Sequence, residues 1–124
     1  MTVNEAIARV DALRPGNVYS HAELTKWLEE LDAQIWREIV LTHEGGDDIP
    51  EPRYDPASGG DEVLLAGTPH DRIYLSFLFA QIDRMNGEID RYNNSVSTFN
   101  AEYAAFRNSY NAEHAPKGGR LRFF

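Results

Sequence analysis

Leu75, Leu78, Ile82, Met85, Ile89, Tyr92, Val96, Phe99, Tyr103, Phe106 and Tyr110 recur with alternating steps of three and four residues, and this run decides the fold. The rhythm averages 3.5 residues, close to the 3.6 of one α-helical turn, so these side chains share one stripe. The stripe is a packing surface; nothing in it resembles chemistry. At about 1.5 Å per residue an unbroken seam would be roughly 50 Å long. A compact chain of 124 residues has a radius of gyration of about 14 Å and so a diameter of about 35 Å. Either one end projects from the core or the helix folds back on itself.

Upstream, Thr68-Pro69-His70-Asp71 reads as a helix start, with Thr68 as N-cap, Pro69 in the first position and Asp71 near the positive end of the dipole. From Ile73 to Ala80 nearly every face is apolar, which predicts the buried centre of the fold. Beyond Gly87 the pattern becomes one-sided. Asn93-Asn94-Ser95 is its weak point, because Asn and Ser favour caps over helix interiors. The seam keeps its phase there, so continuity is expected, with a kink or break at Asn93-Asn94 as the alternative. Ala115-Pro116 ends the helix.

Two shorter helices precede it. Thr2 and Glu5 have capping-box spacing, and Val3, Ala6, Ile7, Val10 and Leu13 follow on one face until Pro15-Gly16-Asn17. Ser20 and Glu23 repeat the box. Leu24, Trp27, Leu28, Leu31, Ile35 and Ile39 then predict a second amphipathic helix to about His43. Between residues 44 and 68 the periodicity collapses into glycine, proline and acidic residues, a loop long enough to be functional or mobile. Its one apolar run, Glu62-Val63-Leu64-Leu65-Ala66, is read as a plug against the core in preference to a short strand.

The chain is therefore expected to be a single all-α domain, a helical bundle over 1–124. Residues 1–43 form a two-helix part, 44–68 a loop, 69–114 one long helix and 115–124 a flexible C-terminal arm. No window approaches the ~18 apolar residues of a membrane span and no signal segment opens the sequence, so no membrane partner is expected.

The net charge of -8 divides as -6 over residues 1–50, -3 over 51–68, -2 over 69–113 and +3 over 114–124. An acidic body repels phosphate backbones, which argues against specific nucleic-acid binding. There is no cysteine, hence no disulfide and no thiolate site. His21, His43, His70 and His114 lie at helix ends without ligand spacing. Glu44, Asp47, Asp48 and Glu51 miss the spacing of a calcium loop. No activated serine and no phosphate-binding glycine motif is found. We expect no enzyme, no catalytic residue, no cofactor and no metal.

Two features point outward. Tyr92, Phe99, Tyr103, Phe106 and Tyr110 combine apolar bulk with polar tips, a mixture enriched at protein interfaces. Packing on the first two helices is the equal alternative for them. Arg120, Leu121, Arg122, Phe123 and Phe124 form a basic aromatic arm after Gly118-Gly119. It is read either as a frayed end or as a contact with a neighbouring subunit.

The blocks Asp71-Arg72-Ile73-Tyr74-Leu75, Ala80-Gln81-Ile82-Asp83, Asn86-Gly87-Glu88-Ile89-Asp90-Arg91-Tyr92-Asn93-Asn94-Ser95, Phe99-Asn100 and Tyr110-Asn111 resemble small proteins from the structural gene clusters of tailed bacteriophages and prophages. Thr2-Val3-Asn4-Glu5-Ala6 and Trp27-Leu28-Glu29-Glu30-Leu31-Asp32 extend the likeness over most of the chain outside 44–68 and the arm. That group is in turn similar to head-tail connector (head-completion adaptor) proteins. The resemblance implies a virion structural protein made in the host cytoplasm and placed at the head-tail junction. It implies a homo-oligomer, a dodecameric ring, bound to portal protein on one side and tail-proximal proteins on the other. DNA would pass the lumen without specific binding. A small phage-encoded regulatory or inhibitory helical binding protein is the alternative function.

Overall fold

Both capping boxes form as their spacing requires. In the computed structural model, which describes residues 1–58 and 60–117, Thr2 Oγ1 accepts from Glu5 N at 3.2 Å while the Glu5 carboxylate accepts from Thr2 N at 2.8 Å. This starts α1 (Val3–Leu13). Ser20 and Glu23 do the same for α2 (His21–Glu38). Between them Gly16 takes φ +83°, a left-handed conformation that a side chain would strain. α2 stops short of His43 and tightens into a 3-10 turn at Val40–Thr42. His43 is thereby turned into the interior, where Nδ1 donates to Ile39 O at 2.6 Å and Nε2 meets the Asn111 side-chain amide at 2.8 Å.

The chain is all-helical, and its last helix is long. The seam, however, spans two helices, α3 (Arg72–Met85) and α4 (Ile89–Glu113). The break lies at Asn86-Gly87-Glu88, and Asn93-Asn94 sits inside α4. Gly87 has φ +74°. Glu88 N donates to Asp83 O at 2.9 Å and Gly87 N to Arg84 O at 3.2 Å, the paired closure that ends a helix on a left-handed glycine. Folding back resolves the length conflict. Phe77 and Phe99 now face each other across the hairpin, ring centroids 5.6 Å apart. Met85 and Ile89, in phase with the seam, are exposed because they sit on the bend.

α3 starts one turn later than the sequence suggests. Thr68 does not cap it; its hydroxyl donates to Asp71 Oδ2 at 3.2 Å, and residues 69–71 form a turn with His70 N donating to Gly67 O at 2.8 Å. The displacement follows from a tie upstream, where Ala66 N donates to the Tyr74 hydroxyl at 2.7 Å. That bond draws 66–71 across the start of α3.

The core unites Ile7 and Val10 of α1, Leu24, Leu28 and Ile35 of α2, and Ile73, Leu78 and Ile82 of α3. Leu13, expected on the buried face of α1, is exposed at the helix end. Leu64 and Ala66 plug the core as read from sequence, with Val63 turned outward. The segment pairs with the start of the chain through Val3 N to Glu62 O and Leu64 N to Met1 O, each 3.0 Å, yet among the described residues only isolated bridges result and no strand.

Candidate interaction surface

The aromatic ridge closes largely on the chain itself. Tyr103 and Phe106 retain 7% and 6% of their surface, which removes them from an outward-facing interface. Phe99 stacks on Tyr103 at 5.4 Å, and Phe106 meets Tyr110 at 5.9 Å and His70 at 5.8 Å. Tyr110 stacks on His114 at 3.9 Å and touches the edge of His43 at 4.9 Å. Tyr92 and Phe99 are half-buried and line a hollow of about 200 Å³ beside Phe77 and Val96. The partners are α3 and the segment following α2 more than α1, because the hairpin brings α3 against α4 first. The Tyr103 hydroxyl donates to Glu38 Oε1 at 3.1 Å. Burial, with that carboxylate beside it, raises the phenol's pKa. The other five interface candidates, Arg120, Leu121, Arg122, Phe123 and Phe124, lie outside the described residues.

What α4 leaves open is its other side. Of the twelve exposed residues between positions 93 and 112, Arg107 alone is charged; the rest are Asn, Ser, Thr and Ala. Ala101, Ala104, Ala105 and Asn108 dominate the middle. Depletion of charge is one mark of the centre of a protein interface; the enrichment in aromatics and the scarcity of Ser and Ala that accompany it elsewhere are not found on this face. By contrast α2 is densely charged where it is exposed. The sequence contained this signal in the side chains between the seam positions.

The acidic centre of the molecule is internal. Asp32 has no exposed surface. Tyr54 OH donates to its Oδ2, Tyr74 OH to its Oδ1 at 2.6 Å, and Leu65 N to its Oδ2 at 3.0 Å. Burial raises the carboxyl pKa, and the three donors pull it back. Both phenols are pushed up, by burial first and by the adjacent carboxylate second. A carboxylate between two phenols has the chemistry for proton transfer, but a group without access to solvent cannot meet a substrate. It acts as a knot joining α2, α3 and the 44–68 segment. A second knot joins Arg14 to buried Asp83 through both terminal guanidinium nitrogens, the Nη2 bond being 3.1 Å, with the guanidinium over Phe79.

Around 44–48 the acidic side chains are exposed, and Lys117 Nζ donates to Asp47 at 2.9 Å. Among the described residues no group of three or more His, Asp or Glu is placed to hold a metal ion, and no helix is long and apolar enough to cross a membrane. No protein-family model, no curated protein and no solved structure matches the chain.

Proposed function

We propose that the chain is a virion structural subunit of a tailed phage, a head-tail connector adaptor without enzymatic activity. It assembles as a dodecameric ring beneath the portal, with tail-proximal proteins on the far side. The observation that carries the proposal is the charge-poor outer face of α4 between positions 93 and 112, about 30 Å of helix whose other side is covered by α3 and the segment following α2. The resemblance of the α3 and α4 sequences to phage structural gene products supplies the partner. Lateral contact between copies falls on Ala101, Ala105 and Asn108, where small side chains permit close helix approach, and not on the aromatic ridge. Exposed Glu44, Asp47 and Asp48 give the particle an acidic surface past which DNA slides without adhering.

Mass photometry of the chain mixed with purified portal from the same genome tests this. Added mass corresponding to a full ring is expected, and a chain that never joins the portal sinks the proposal. Isolated connectors can remain monomeric until they meet a portal, so the mixture is the deciding sample. A regulatory binder would use the same face. It would be found among early genes, whereas an adaptor belongs beside portal and capsid genes.

A further inference from the structure

Where α4 ends, the chain is fastened instead of released. Glu44 N donates to Ala115 O at 2.8 Å and Lys117 N to Thr42 O at 3.0 Å. With the Lys117–Asp47 ion pair, these bonds hold residues 115–117 against the 42–47 stretch. Asp47 is two residues from Ile49, at most ~7 Å of chain. Ile49 and Leu65 form the wall between two adjoining hollows. One, of about 370 Å³, lies against Phe106, Tyr110 and Glu113 of α4. The other, of about 390 Å³, continues over Pro52, Tyr54 and Val63. Val63 keeps 69% of its surface, an apolar side chain left uncovered beside this groove.

The chemistry of residues 120–124 is complementary. Leu121, Phe123 and Phe124 supply apolar side chains, and Arg120 and Arg122 supply cations. Glu113 lines the first hollow, Glu51 and Arg53 line the second, and the stretch 44–48 that leads into Ile49 adds Glu44, Asp47 and Asp48 with no cation. Arg37 and Arg53 already approach Glu51, which leaves Glu113, on the first hollow, and exposed Asp48, next to Ile49 in sequence, as carboxylates open to a further cation. The reach suffices, since seven residues beyond Lys117 extend up to ~24 Å.

We propose that this groove is the receptor for Leu121, Phe123 and Phe124 of the same chain. A tethered segment meets its own groove at an effective concentration on the order of millimolar. At lower protein concentrations it therefore outcompetes the same segment of a second copy. The inference stands apart from the virion reading, because it concerns the isolated molecule.

The absence of cysteine makes the test direct. Full-length Arg122→Cys, isotope-labelled and carrying one nitroxide, is expected to lose the amide signals of Ile49, Val63 and Leu65 by paramagnetic broadening. Adding Leu121→Ser, Phe123→Ser and Phe124→Ser to that chain is expected to restore them. Equal broadening with and without the serines, or none at these amides in either chain, overturns the proposal. Broadening that also appears when the nitroxide and the isotope are on different molecules assigns the groove to a second copy and likewise overturns it.

Discussion

The 44–68 segment and α4 invert each other's promise. The segment has no hydrophobic rhythm, yet it is fastened at Asp32 through Tyr54 and Leu65. Trp36 Nε1 adds a bond to Ile49 O at 2.7 Å, and Glu29 accepts from Tyr54 N at 2.7 Å. α4 continues the strongest rhythm in the chain over 25 residues, yet only Tyr103 and Phe106 become buried. Periodicity measures how much surface an element offers. How firmly it is held depends on what it meets, and a few buried hydrogen bonds hold a loop where half a helix lies bare.

Removing the loop's anchor should break this contrast most severely. Asp32→Ala leaves two phenol hydroxyls and Leu65 N without their acceptor in a solvent-free interior, at an expected cost of about 4 kcal/mol. Urea denaturation measures it, and hydrogen exchange should show Leu65 and Ala66 losing protection before Tyr103 and Phe106. Retained protection there would mean that apolar plugging alone holds the segment.

The same carboxyl has a pH signature. Its folded pKa lies above the unfolded value of 3.8, so the native state binds the extra proton in between, and Asp32's contribution to stability falls as pH rises through the folded pKa. Replacing it by Asn removes that dependence. The stability of wild type relative to Asp32→Asn is therefore expected to decline as pH rises from about 4, measured by denaturation at a series of pH values.

A smaller effect sharpens the hairpin side of the comparison. At Gly87 a Cβ would meet nothing within 4 Å, leaving the positive φ as the sole strain. Gly87→Ala should cost about 1 kcal/mol, read from the thermal midpoint. A near-zero cost would show that the bend is held by packing of Phe77 on Phe99 and not by the glycine closure.

The smallest stability change belongs to the open face of α4. Ala101→Arg and Ala105→Arg are expected to shift folding stability by less than about 0.5 kcal/mol, while adding charge where copies are proposed to meet. Denaturation of the free chain and mass photometry with portal should diverge. Wild-type assembly by the double variant would place the lateral contact elsewhere.

Thr2 with Glu5, and Ser20 with Glu23, were legible because capping is settled within four residues, and the buried faces of α1 and α2 followed from spacing alone. Asn86-Gly87 was also a local signal. The reading put the weak point at Asn93-Asn94 instead, because the seam keeps its phase through Gly87: a hairpin that closes on its own apolar faces preserves the same three-four spacing as a straight rod. The interface reading of the ridge failed at Tyr103 and Phe106 for that reason. A stripe announces that it must be covered and is silent about the cover.

By itself, then, the sequence determined an all-helical chain, the starts of its first two helices and the residues that seek burial, since these depend on neighbours within one or two turns. Only the tertiary structure decided where the seam bends back and which side of α4 stays open. It also paired Asp32 with Tyr54 and Tyr74, and Arg14 with Asp83. Such partners lie tens of residues apart, and no local preference of the backbone encodes who will stand opposite whom once the chain has collapsed.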